Sequence, residues 1–273
     1  MVCKHHLFSR FKIIPKSPQD AWVYVTILKH GKRIAVQESF HQQLFSACEQ
    51  ITPYLSGKIT EPDESMLRSH HSGEAFFNQL YSQLQVLHPE AGKSYWITRC
   101  WDLATWQPLY IAFISVYGFK TLPDFNSFGQ SQMGSFVTGF CFSNQKHRHG
   151  EVQELVPEAA LQLNVLFEKY RTQLDQQYRC RPGFVKHLLA DAIVNCCLRL
   201  KEFDPQLTLD DIRNNAAMWL SAFQLPLDQI SRIEEKQGAL SYVRKSCCLV
   251  YKTTQGTLCE DCPRFKNSSP IQN

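Results

Sequence analysis

Four cysteines near the C-terminus, Cys247, Cys248, Cys259 and Cys262, are the residues of this chain best suited to chemistry, spaced C-C-x10-C-x2-C. Four thiolates are what a [2Fe–2S] cluster requires, two per iron. They would also close a structural zinc site, although such sites usually use two C-x2–4-C pairs and the Cys247-Cys248 dipeptide fits that pattern badly. Unligated or disulfide-forming thiols are a third alternative, and spacing alone leaves all three open. The loop Cys259-Glu260-Asp261-Cys262 is expected to turn tightly and bring two sulfurs to one metal, with Glu260 and Asp261 at its exposed tip. Gln255-Gly256-Thr257 supplies a turn that would fold this loop back toward the first pair. Neighbours in a regular strand point to opposite faces, so the backbone is expected to bend at Cys247-Cys248 if both serve one site.

The stretch Val243-Arg244-Lys245-Ser246-Cys247-Cys248-Leu249-Val250-Tyr251-Lys252, followed by Cys259-Glu260-Asp261-Cys262-Pro263, closely resembles the C-terminal motif of the FhuF-like ferric-siderophore reductases. That motif has the same cysteine spacing, with basic residues just before the first pair. A looser similarity covers most of the chain: a Trp-rich apolar helix (Trp101 to Tyr117) ahead of a Phe-rich segment, and a helix pair ahead of the tail. The first 60 residues match nothing in that pattern. The resemblance implies a [2Fe–2S] cluster on the four cysteines and one-electron reduction of ferric hydroxamate-type siderophores. The alternative is a zinc-stabilised binding or interaction module without redox activity.

The chemistry is coherent with so small a site. A siderophore holds iron(III) through hard anionic oxygens, and the same ligands hold the softer, less charged iron(II) far less tightly. One electron therefore releases the metal, and no acid–base pair or nucleophile is needed. Glu260 and Asp261 would depress the cluster's potential, and Arg244, Lys245 and Lys252 would raise it. The same three cations are candidate substrate-binding residues, a basic rim for an anionic ferric complex, or else plain solvated charges. No G-x-G-x-x-G follows a clear strand, and there is neither a P-loop nor an H-E-x-x-H. Electrons are accordingly expected from a protein donor, a ferredoxin or a separate flavin reductase.

The elements that must position this tail make an α+β fold, mostly helical with a small antiparallel sheet. The 273 residues are 44% hydrophobic and 20% charged, ordinary for a globular chain, and a net charge of +4 without a Lys/Arg block argues against a nucleic-acid binder. No signal-peptide run opens the sequence, so the expected location is the cytoplasm, with peripheral contact at the inner face of the membrane left open. Leu103 to Phe119 carries no charge but is 17 residues long, shorter than the roughly 20 a span needs, and reads as a buried helix. Eleven cysteines in a reducing compartment suggest buried thiols plus a metal site.

Apolar spacing predicts helices over His41 to Tyr54, Gly73 to Leu87, Tyr95 to Tyr117 (kinked or divided at Pro108), Glu158 to Tyr178, Pro182 to Leu200 and Thr208 to Phe223, the last with a Thr208–Asp211 cap. Phe125 to Ser143 reads as a β-hairpin or small sheet, and Asn144 to Gly150 as a polar loop. Ala21 to Phe40 reads as two strands about His30-Gly31-Lys32, or as a short helix then a strand. The organisation is 1–62, of unclear role; 63–239, a mainly helical core; and 240–273, the cluster-binding segment. Cys196-Cys197 is expected in the core, His70-His71 and His147-Arg148-His149 at the surface, and Trp101, Trp106 and Tyr110 in the core rather than as a stacking wall.

Overall fold

The computed structural model describes residues 39–68, 70–236 and 238–265. The reading of Ala21 to Phe40 falls almost wholly outside them. In chain order the elements are α1 (Phe40–Ile51), β1 (Gly57–Ile59), β2 (Leu67–Arg68), α2 (Glu74–Leu87), α3 (Lys93–Phe119), β3 (Thr121–Pro123), β4 (Phe128–Met133), β5 (Phe136–Phe142), β6 (His147–His149), α4 (Val152–Tyr178), α5 (Pro182–Leu198), α6 (Leu200–Phe203), α7 (Leu209–Ala222), β7 (Ile233–Lys236) and β8 (Ala239–Tyr242). The class is α+β.

Helix α3 is the axis of the core. It is buried on nearly every side, from Tyr95 to Val116, because α1, α2, α4 and α5 all pack on it. An all-round apolar helix has nowhere else to go in water. Trp101 packs edge-on against Phe167 and is core; Trp106 donates its indole N–H to the Val137 carbonyl at 3.3 Å. No helix among the described residues is long and apolar enough to cross a membrane.

Pro108 neither divides α3 nor ends it. Proline lacks an N–H and so strands the carbonyl four residues back. That carbonyl, Ala104's, accepts a hydrogen bond of 2.6 Å from the side-chain amide of the fully buried Gln130 on β4. The sheet thus supplies the donor that the helix lacks.

The main sheet has the order β1-β5-β4-β2. The expected hairpin is β4–β5, antiparallel with Phe128 opposite Phe142 and Gln130 opposite Phe140. At its edge β1 runs parallel to β5, so the sheet is mixed rather than purely antiparallel. Phe125, Phe128, Phe140 and Phe142 stack into one buried aromatic layer beneath α1. Helix α1 contributes the fully buried Leu44 and Cys48 to the same core.

Two local expectations change. The polar stretch Asn144 to Gly150 contains a strand, β6, which pairs with β3; its side chains are exposed, so no apolar alternation marks it. Helix α4 begins at Val152, six residues early, because Glu151 and Glu154 form a reciprocal capping box ahead of it. The cap expected on α7 is present: Asp211 N–H donates to Thr208 Oγ1 at 3.2 Å, and Thr208 N–H to the Asp211 carboxylate at 2.8 Å.

One core residue carries a pH consequence. His41 on α1 is 1% exposed, and neither ring nitrogen has a hydrogen-bond partner. Burial, aided by His147, lowers its pKa from 6.5 to about 4. Between those values the unfolded chain takes up a proton that the folded one refuses. Stability is therefore full above pH 6.5 and falls as the pH drops toward 4, by up to about 3 kcal/mol. Denaturant melts at pH 7.5, 6 and 4.5 should show that slope in the wild type and a flatter one in H41F; parallel slopes would refute it.

Candidate metal centre

The segment after β8 runs back across the core instead of away from it. Ala91, Tyr95, Cys248 and Val250 form a small buried cluster, with Trp96, Leu249 and Cys259 packed around it. The tail thus docks on the start of α3. Thr254 secures it there, its N–H and hydroxyl both donating to the Glu90 carboxylate at 2.6 and 2.9 Å.

The backbone does bend at the doubled cysteine. Leu249 has φ +60°, in the left-handed region, a conformation that costs a bulky L-residue roughly 1–2 kcal/mol. The return turn is equally specific. Gly256 N–H donates to the Thr253 carbonyl at 2.8 Å, and a Cβ on Gly256 would lie 1.9 Å from the Val250 carbonyl oxygen. Only glycine fits that approach, and the chain then comes back to place Cys259 against Cys248. The C-x2-C loop closes with Cys262 N–H donating to the Cys259 carbonyl at 3.0 Å.

All four predicted cysteines lie on this docked tail, and one thiol contact links the two pairs. Cys248 and Cys262 are buried, and Cys247 and Cys259 are half-buried. Cys248 Sγ lies 3.4 Å from Cys259 Sγ, so this thiol contact joins one member of the doublet to one member of the C-x2-C loop. Cys247 feels both Cys248 and Cys262 electrostatically. Two ligands on one tetrahedral metal at about 2.3 Å stand roughly 3.7 Å apart, so the Cys248–Cys259 separation suits a shared metal. Among the described residues, no three Cys, His, Asp or Glu side chains converge tightly enough to hold a single ion. The fit therefore rests on the donor set, four thiols on one short docked segment, and on that close pair.

The candidate substrate cations do not share one environment. Arg244 is buried: its guanidinium Nη2 lies 3.6 Å from Cys248 Sγ, and its Nε makes a 2.7 Å ion contact with the Asp261 carboxylate. Burial works against its charge, but Cys248 and Asp261 outweigh burial and hold its pKa above the ordinary value. It faces the thiols, so its expected place on a solvent rim is corrected. Lys245 is half-buried and ion-paired with Asp228 at 2.6 Å, and Lys252 is exposed. Asp261, expected at an exposed tip beside Glu260, is half-buried and tied to Arg244 through both side chain and backbone. The Cys259 thiol, then Arg244, lower the pKa of Cys248 in spite of burial, and Cys259 is raised in turn.

Residues 244–264 match the family model described as the FhuF 2Fe-2S C-terminal domain. The tail is thus similar to the 2Fe-2S C-terminal domain of FhuF. The match spans the bend, the return turn and the whole C-x2-C loop, and it selects among the alternatives left open by spacing: the cysteine centre takes a [2Fe–2S] cluster. No solved structure matches the chain significantly.

The other candidates stay out of the cysteine centre. Cys196 and Cys197 are buried in α5, and burial raises the Cys196 thiol to about 12, an inert core thiol. His70, His71, His147 and His149 are exposed; His149 Nδ1 pairs with Thr121 Oγ1 at 2.7 Å and Arg148 with Glu158. Two acidic residues missed in the sequence stand close behind the tail. Burial pushes the Asp102 carboxyl on α3 up to about 7, Arg99 opposing. Asp191 on α5 is 2% exposed and bonded to the residues just ahead of Cys247. Its signal was a lone acid inside Leu188-Leu189-Ala190-Asp191-Ala192-Ile193-Val194, a place where Asp is rarely found unless paired.

Proposed function

We propose that this chain is a reductase that passes one electron to siderophore-bound iron(III), releasing iron(II) in the cytoplasm, and that its electrons come from a ferredoxin or a flavin reductase. The observation that carries the reading is the Cys248–Cys259 thiol pair, 3.4 Å apart beside a buried guanidinium, in a four-cysteine segment that matches the FhuF 2Fe-2S domain model. When bound, a [2Fe–2S] cluster supplies single-electron chemistry at a potential set by charge, hydrogen bonds and exposure. The chain's own part is to hold and tune. Arg244 offsets negative charge at the thiolates, the α3 docking cluster keeps water from Cys248, and the half-exposed Cys247 and Cys259 leave an edge open to a partner. Lys252, exposed beside that tail, is the candidate for an anionic ferric complex.

Protein purified without oxygen should be coloured and hold about two irons and two sulfides per chain. Dithionite should bleach it, and a ferric hydroxamate should restore the colour with iron(II) appearing in a chelator trap. A colourless protein with one zinc per chain and no such turnover would replace this proposal with the zinc-stabilised module.

A further inference from the structure

We propose that Asp191 is a positioning residue for the cluster: from the middle of α5 it grips the backbone ahead of Cys247 and fixes the direction in which the doubled cysteine presents its thiols. The inference rests on the cluster-binding reading above.

The carboxylate stands in the helical core, 2% exposed. Five donors surround it. Oδ1 accepts from Lys245 N–H at 3.0 Å, from the Gln229 amide at 3.4 Å, and from the Tyr242 hydroxyl. Oδ2 accepts from Ser246 N–H at 2.7 Å and from the Ser246 hydroxyl. Tyr242 closes β8, and Lys245 and Ser246 are the last residues before Cys247, so one side chain holds both ends of the approach to the cysteines.

A buried carboxylate is costly unless its lone pairs are filled, and here every neighbour donates. The arrangement also meets a local need. The segment between β8 and the turn at Val250 belongs to no sheet or helix, so its N–H groups need acceptors from elsewhere. Asp191 supplies two of them, and Arg244 N–H goes to the Asp261 carbonyl at 2.9 Å. Three successive amides are thus fixed, two on the core and one on the C-x2-C loop. The left-handed turn at Leu249 follows directly. The doublet is held on one side by this grip and on the other by the turn, which leaves little freedom in where Cys247 and Cys248 aim.

Asparagine cannot stand in. Each carboxylate oxygen serves one backbone N–H, so whichever end becomes the amide NH2 faces an N–H that cannot turn away. D191E keeps both acceptors on a longer arm. The test compares anaerobically prepared wild type, D191N and D191E by iron and sulfide content, by the EPR spectrum of the dithionite-reduced protein, and by the rate of iron loss to a chelator. Far-UV circular dichroism shows whether each variant is folded.

D191N is expected to stay folded, to lose iron at least about tenfold faster, and to give a shifted or broadened EPR spectrum. D191E should recover part of both. A purely structural carboxylate would lower the melting temperature and leave the spectrum alone. Should D191N fail to fold, D191E carries the test, because its displaced carboxylate must still move the spectrum. Folded D191N and D191E with the wild-type spectrum and iron-loss rate would overturn the proposal. A wild type that takes up no iron and sulfide would instead overturn the cluster reading beneath it.

Discussion

Serine in place of Cys248 or Cys259 is expected to disturb one iron of the cluster, and serine in place of Cys247 or Cys262 the other. The sequence marks the C-x2-C loop as a suitable chelate for a single metal but leaves open which cysteines share an iron. The fold crosses the pairs. Cys248 Sγ and Cys259 Sγ, one from each pair, meet at 3.4 Å, which leaves Cys247 and Cys262 for the second iron. Two sulfurs on one iron can stand that close, whereas sulfurs on different irons are held apart by the cluster itself. Gly256 makes the crossing feasible by bringing the chain back over the Val250 carbonyl. Mössbauer spectra of the oxidised serine variants check it. C248S and C259S should alter the same iron signal, and C247S and C262S the remaining one. Alanine at any of the four removes a ligand outright and should abolish most of the bound iron. A shared signature for C247S and C248S would show that the doublet chelates one iron and that the crossed contact does not persist when metal is bound.

Much of this was readable from the chain, and the parts that were not share a cause. Helices α1, α2 and α7 follow apolar stripes such as Phe76, Phe77, Leu80 and Leu84, and the Thr208–Asp211 cap is local chemistry. The four cysteines and the bend between them follow from ligand counting. What escaped depends on partners far along the chain. Pro108 reads locally as a break, and only Gln130, 26 residues from the stranded carbonyl, shows why it is none. Strand β6 is an exposed edge whose identity comes from β3, and the β7–β8 hairpin has no alternation to announce it. Asp191 reaches 55 residues forward to Ser246. Arg244 looked like one of three equivalent cations because charge is visible in a sequence and burial is not.

That burial makes Arg244 the place where the sequence-based and structure-based readings part most sharply. A rim arginine that recruits an anionic ferric complex would, when replaced, raise KM and leave the cluster's potential alone. The guanidinium found here lies 3.6 Å from Cys248 Sγ, pinned by Asp261, with 11% of its side chain exposed. A full charge at that depth stabilises the reduced, more negative state of the site. At an effective dielectric near 20 and a charge separation of about 6 Å, the interaction is on the order of 2–3 kcal/mol. For one electron that is a change on the order of 100 mV. R244Q should therefore lower the midpoint potential by about that amount in an EPR-monitored redox titration, while KM for a ferric hydroxamate changes little. It should also loosen the tail, because Asp261 is left half-buried without its counter-charge. R244K keeps the charge but cannot span both Cys248 and Asp261 with a planar fork, so its potential should fall between the two. An unchanged potential in R244Q together with a raised KM would return Arg244 to the substrate rim.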